Sequence, residues 1–403
     1  MPEGFEISDE KLWEATRSED LDVRADALLA LAERFRFRED YVEAKNLYAA
    51  ARELFIELDK DALVMRCTYN LGYCHYRLDQ YEETIVEMNK SLASGREVNN
   101  SASIAYSAGP LADSLSELGR IDEAIEAYEL AVEGFVDIEE NLLAAINCKS
   151  LGDLHGQSGR PTKALECFIR AYNLFQQAGE AEGAARSKDR MAAALIELGD
   201  FDQAIAHLRD ALKVFEFIEE EERAAYTKYR IGCTYNLAEK YGQAEAPLRE
   251  ACKWFRANKL WSKVARTEMN LCESLIFQNP KVENYEAKEL LPRVLSYFES
   301  AGEHANLLSA NSIEATRLVK IEDFSKAIEA WSQILVESIN LGDEHYISLA
   351  RLNLAEALIG AGQHVAASEQ LSFVSPQSWN ENKSATDRYE AIQLRLQEAN
   401  QLQ

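Results

Sequence analysis

"LGYCHYRLDQYEETIVEMNKS", residues 71–91, opens on Leu71-Gly72. It places Thr84 thirteen residues after the leucine, Met88 four further on and Ser91 three beyond that. The spacing recurs. Steps of forty from Leu71-Gly72 give Leu31-Ala32, Leu111-Ala112, Leu151-Gly152, Met191-Ala192, Ile231-Gly232 and Leu271-Cys272. A step of 43 then reaches Glu314-Ala315, and forty more reaches Leu354-Ala355. The small residue returns as Ala44, Ala124, Ala164, Ala204, Ala244, Ala287, Ala327 and Ala367. The large one returns as Tyr48, Tyr128, Phe168, Leu208, Leu248, Leu291, Trp331 and Leu371, and the second small one as Ala51, Ala131, Ala171, Ala211 and Ala251. Self-similarity at a fixed period of this size marks a chain built from stacked supersecondary units.

Between the halves of each unit lies a turn signal: "LGR" at 118–120, "SGR" at 158–160, "LGD" at 198–200 and "AGQ" at 361–363. Glycine there takes the left-handed conformation that ends a helix. Each unit therefore reads as a helix, a tight turn and an antiparallel helix. The small residues sit where the two backbones cross, and the large one fills the space beside them. Composition agrees. Of 403 residues, 47% are hydrophobic, whereas glycine and proline number only 18 and 7, a balance that favours helix. No linker or low-complexity stretch divides the chain.

This pattern resembles the tetratricopeptide repeat (TPR), whose common period is 34 residues. A period of forty implies longer helices and is similar to the variant in LGN-type adaptors, kinesin light chains and bacterial peptide sensors. The resemblance implies an all-α fold, an α-α superhelix (TPR solenoid) of about nine helix–turn–helix repeats over residues 22–375, with capping helices in 1–21 and 376–403. At the start, Ile7, Ser8 and Leu12 predict a hydrophobic staple and a helix beginning at Asp9. At the end, Pro376 stops the last repeat, and a half-repeat helix is expected from about Ser384 to Gln401. Leu394 would be its anchor, and Gln393, Gln397, Glu398 and Gln401 its polar cover. Residues 278–316 read as an irregularity. Pro280 breaks any helix there, three residues are inserted, and Glu314 stands where an apolar anchor belongs.

The net charge of −26 repels nucleic acid and anionic lipid, so neither is expected as a partner. The start of the chain has no secretory h-region, and no apolar run is long enough to span a bilayer. Seven cysteines, none in a CxxC pair or at zinc-ligand spacing with histidine, read as reduced thiols in a cytoplasmic protein. No metal site, cofactor or catalytic motif is present in the sequence: GxGxxG, GxxxxGK, HExxH and GxSxG are all absent. His75 and His155 occupy the position that holds Phe35, Leu115, Leu195 and Tyr235 in other repeats, so they read as interior histidines that need hydrogen-bond partners. The chain reads as not an enzyme.

The resemblance further implies that residues of each first helix, at five and two before the anchor and two and five after it, face a concave groove. Arg66, Tyr69, Tyr73, Tyr76, Tyr106, Asp113, Lys149, Asp153, Arg186, Tyr226, Tyr229, Asn236 and Arg266 fall there. Tyr and Arg are enriched at binding hot spots. Asn70, Asn270 and Asn353 precede anchors, where LGN-type repeats use Asn to hold peptide backbone. Arg190 and Arg230 replace Asn in their repeats and could hold a carboxylate. Within residues 69–76 the three tyrosines form the groove face and Leu71, Gly72 and His75 the packing face, with Cys74 between them. The function expected is a non-catalytic adaptor that binds a protein or peptide, basic or extended, in the groove. The alternatives are a peptide- or ligand-responsive regulator acting on another chain, since some 21 residues before the first repeat are too few for an effector domain, and a self-assembling scaffold.

Overall fold

The computed structural model describes residues 7–374 and 383–401. They form twenty helices, and no strand occurs among the described residues. α1 is Asp9–Ala15, followed by α2 Leu21–Phe37, α3 Tyr41–Glu57, α4 Asp61–Arg77, α5 Tyr81–Glu97, α6 Ser101–Glu117, α7 Ile121–Asp137, α8 Asn141–Gln157, α9 Pro161–Gln177 and α10 Ala181–Glu197. Then come α11 Phe201–Phe217, α12 Glu221–Leu237, α13 Tyr241–Ala257, α14 Trp261–Phe277, α15 Tyr285–Ala301, α16 His304–Lys320, α17 Phe324–Leu341, α18 Glu344–Gly360, α19 His364–Ser372 and α20 Lys383–Gln401. The helices group into two compact units. One holds residues 1–154 with 170–180, and the other holds 155–169 with 181–403.

Helices α2 to α14 start every twenty residues, and one device sets the interval. In the turn after α2, Glu39 takes a left-handed backbone conformation (φ 62°) and donates its amide to Arg36, while the Asp40 amide bonds back to Phe35 O at 2.9 Å. This is the Schellman closure, which satisfies the orphan carbonyls of a helix end. The same pair of bonds follows α7 at Glu139 and Glu140, α10 at Gly199 and Asp200, and α12 at Glu239 and Lys240. The residue that closes one helix often starts the next. Asp40, Asn100 and Asp200 each accept a first-turn amide on a side-chain oxygen, at 3.2, 3.0 and 3.1 Å. Gly119, Gly159, Gly199 and Gly362, in the four turns read from the sequence, are left-handed as expected. Among the described residues Glu, Asp, Asn or Lys takes that conformation at nine other positions, because the two backbone bonds hold the turn without requiring glycine.

The repeat positions are the core. Ala44, Ala51, Ala124, Ala131, Ala204, Ala211, Ala244 and Ala251 have no exposed surface, nor do Tyr48, Met88, Leu208 and Leu248. A Cβ built on Gly232 would lie 2.4 Å from Leu248 Cγ, so the α12–α13 crossing is too close for any side chain there.

The irregular region contains a seven-residue connection, 278–284, after α14, and Asn284 then caps α15 through the Ala287 amide at 3.1 Å. Glu314 is paired with Arg317 at 2.7 Å, and its neighbour Ile313 is the residue that enters the core. α1 starts at Asp9 as expected, with the Ser8 hydroxyl accepting from the Lys11 amide. Leu12 is buried but Ile7 stays 55% exposed, so the staple is not closed. In α20 the anchor differs from expectation. Leu394 is 57% exposed while Ile392 and Leu396 are buried, because the helix packs two residues out of register with the repeat. Pro376 and the Gln401 side chain lie outside the described residues. No described helix is long and apolar enough to cross a membrane.

Candidate functional site

The candidate residues fall into two sets, one in each unit. In the first unit they form a tyrosine row. Tyr69 stacks on Tyr73 at 6.4 Å, Tyr73 meets Tyr76 at 6.2 Å, and Tyr69 meets the edge of Tyr106 at 6.4 Å. Arg77 lies 4.5 Å over Tyr41 and donates to the Tyr73 hydroxyl at 3.2 Å. The polar atoms of this set are largely used within the fold. Tyr76 and Tyr128 donate to the two oxygens of Asp113 at 2.7 and 2.5 Å. Burial and the Asp113 carboxylate push both phenols well above the usual range. Burial, helped by the neighbouring Tyr73 and Tyr106 and opposed by Arg36, lifts Tyr69 to about 12. Asn70 is buried and donates to Arg66 O, one turn back, at 2.8 Å. Arg66 pairs with Glu33, and Lys149 with Asp153 at 2.8 Å. Cys74, which the sequence placed between two faces, is fully buried in the core with Cys67 and Leu71, because it faces the α2–α3 pair.

In the second unit, six candidates line one cavity of about 930 Å³: Arg186 and Arg190 on α10, Tyr226, Tyr229 and Arg230 on α12, and Arg266 on α14. Sequence reading had no marker for the other walls, yet Arg223 and Lys263 join one helical turn ahead of Tyr226 and Arg266, and Phe215 and Phe255 come from the ends of α11 and α13. The i, i+3 spacing of Arg223 to Tyr226 and Lys263 to Arg266 was the signal available for the first two. The Tyr226 and Tyr229 rings are 5.9 Å apart. Lys263 sits 5.9 Å from the Tyr226 ring and 5.6 Å from Phe255. Asn236 and Asn270 lie apart from this cavity. Asn236 donates to Asn270 O at 2.8 Å and to Glu273 at 3.1 Å and accepts from Ser274 at 2.8 Å, which ties α12 to α14. Asn270 and Asn353 donate to carbonyls one turn back, at 2.9 and 2.8 Å.

The position five before each anchor is the most regular feature of the first helices. Arg66, Tyr106, Ile146, Arg186, Tyr226 and Arg266 are all exposed. The residue that follows is buried in five of the six cases: Cys67, Ser107, Ser187, Thr227 and Thr267. Of the two histidines, His75 finds a partner in Gln80 at 2.7 Å, whereas His155 Nδ1 is buried with none, and burial lowers its pKa. The described residues hold no cluster of three metal-ligating side chains.

A sequence model of the tetratricopeptide repeat matches residues 64–135, 142–216 and 184–257. Human tetratricopeptide repeat protein 29 is 22% identical over 147 residues, which is 36% of this chain and 30% of that protein, so the chain spans under a third of that relative. Among solved structures, the tetratricopeptide repeat sensor STAND protein of Pyrococcus horikoshii aligns with a TM-score of 0.55 and 14% identity, over 73% of this chain and 45% of that one. The apo quorum sensor NprR of B. thuringiensis aligns with a TM-score of 0.50 and 14% identity, over 82% and 91%. At that identity the likeness concerns the fold. With the period in the sequence, the helix pairs in the structure and the matched repeats in agreement, the chain belongs to the tetratricopeptide repeat family.

Proposed function

We propose that this chain is a non-catalytic binding protein that takes a peptide segment of its partner into the cavity between α10, α12 and α14. The observation that carries this reading is that cavity itself. Three successive first helices converge on it, and it presents two adjacent tyrosine rings beside guanidinium groups, the side chains that give large contact area with directed donors.

Selection from a displayed library of random dodecapeptides on the immobilised chain tests the reading. The expected outcome is a set of enriched peptides whose affinity falls about tenfold or more with Tyr226→Ala, as for a central aromatic contact. Enrichment of nothing, or of peptides indifferent to that substitution, overturns it.

A second reading is a regulator that changes shape on binding. It draws on the fold shared with two chains described as sensors, one of which aligns over nearly its whole length. Small-angle scattering of the chain with and without a selected peptide separates the two. Unchanged scattering leaves the adaptor, and a shift in radius of gyration favours the regulator.

A further inference from the structure

The cavity described above occupies one face of α12. The opposite face of the same helix borders a groove of about 650 Å³ that runs between the C-terminal ends of α11 and α13. Tyr226 lines the first, whereas Ala224 and Lys228 line the groove, and residues two apart stand about 200° apart around a helix. Alanine makes the groove. Ala224 and Ala225 put nothing beyond a methyl group between the flanking helices, so buried Phe215 and half-buried Trp254 complete an apolar floor. Trp254 is held from two sides. Its ring meets Phe255 edge-on at 5.8 Å, and its indole N–H donates to Glu221 at 3.2 Å. Four carboxylates surround this floor, Glu216, Glu219, Glu221 and Glu250, against two ammonium groups, Lys228 and Lys253. Lys228 is engaged. It bridges Glu216 on α11 at 2.9 Å and Glu250 on α13 at 3.0 Å. Lys253 is exposed and pairs with none of the four. Glu219 and Glu221 are exposed and make no ion pair among the described residues, and the indole bond sets Glu221 beside Trp254.

We propose that this groove docks a basic side chain, lysine or arginine, of a partner protein. Charge complementarity names the occupant. An apolar floor rimmed by un-neutralised carboxylates fits a side chain that is itself apolar along its stem and cationic at its tip. The stem lies on Ala224 and Ala225, and the cation meets the Trp254 ring and the Glu219 and Glu221 carboxylates together. The site is independent of the peptide-binding reading above, since it lies across α12 from that cavity. The cavity there is lined by Arg230, Lys263 and Arg266 and repels the same segment. The net charge of −26 acts in the same direction as the groove, so a basic partner is drawn in from a distance and associates faster at low salt.

The test uses the full chain labelled with 5-fluorotryptophan. Of its five tryptophans, the one whose fluorine resonance disappears in Trp254→Phe reports on the groove. The probe is a capped pentapeptide of alternating alanine and arginine, and the control is the same peptide with citrulline, the neutral isostere of arginine. The arginine peptide is expected to move the Trp254 resonance saturably, and the citrulline peptide to bind about tenfold more weakly or not at all. Glu219→Gln combined with Glu221→Gln keeps an acceptor for the indole and removes both charges. It should weaken the arginine peptide about tenfold, and binding to the unsubstituted chain should weaken as NaCl is raised. A Trp254 resonance that does not move, or that moves equally with both peptides, overturns the proposal. So does a double variant that binds as the unsubstituted chain does, which would mean that the peptide follows the acidity of the whole surface. Both glutamates are exposed, so the variant keeps the fold, and circular dichroism melts verify this.

Discussion

Glu273 on α14 is a carboxyl pressed among Asn236, Lys320 and apolar side chains, and burial lifts its pKa from the ordinary carboxylate range to about 7. The folded chain therefore holds a proton that the unfolded chain releases near pH 4.5. The neutral acid contributes stability that is complete below that pH and is lost as pH rises through about 7. Urea midpoints should accordingly fall between pH 5 and 7.5, with a loss on the order of 2 kcal/mol. Glu273→Gln should flatten this slope, and an unchanged slope in that variant would place the proton elsewhere. Asp113 is a second decisive residue. Its two oxygens receive the Tyr76 and Tyr128 hydroxyls, so Asp113→Ala strands two largely enclosed phenols and should cost about 2 kcal/mol in chemical denaturation. A near-neutral result would show that water replaces it. Residues of this kind show where sequence reading stops. That Asp113 lies off the packing face follows from its distance to the anchor. That two tyrosines from α4 and α7 occupy its oxygens depends on helices brought together across 37 and 15 residues of chain.

At the scale of the element, the seventeen-residue helix and its closing turn are the repeating part. Among the described residues nine that are not glycine hold the left-handed conformation, each at a cost of about 1 kcal/mol relative to glycine. Glu219→Gly, at φ 60°, should raise stability by about 0.5–1 kcal/mol, and Gly119→Ala, at φ 72°, should lower it by about 1 kcal/mol. Thermal melts of the two variants moving in the same direction would contradict the account. The close crossing at Gly232 carries a larger penalty. A methyl group there meets Leu248, and Gly232→Ala should cost about 1–3 kcal/mol through overpacking, a cost that shrinks when it is measured in a Leu248→Ala background. Helix pairs and their crossings were readable from the sequence, because an amphipathic period and a small-residue slot are local properties of the chain. The exceptions were local too. In α20 the buried pair is Ile392 and Leu396, flanking the leucine the period selects, because the helix packs against α18 and α19 two residues out of register with the repeat.

Over the whole molecule, a charge of −26 is distributed on a surface with many exposed ion pairs. Self-repulsion outweighs isolated surface pairs, each of which contributes little. Raising NaCl from about 20 mM to about 300 mM shortens the Debye length to well under 10 Å and should raise the melting temperature by a few degrees. A fall would mean that the ion pairs dominate. The sequence by itself determined the all-α repeat, the small-residue crossings and the outward position five before each anchor, all of which follow from spacing within one or two helices. Only the tertiary structure decided which polar side chains on that face are spent and which remain available. Asn70 turned to its own helix, Asp113 was claimed by two tyrosines and Arg230 by Asp189, while Arg186, on the wall of the same cavity as Tyr226, has no ion pair among the described residues. The physical reason is range. A face is set by residues three and four apart, but an ion pair such as Arg230 with Asp189 joins residues forty-one apart, and its partner is fixed only when one repeat packs on the next.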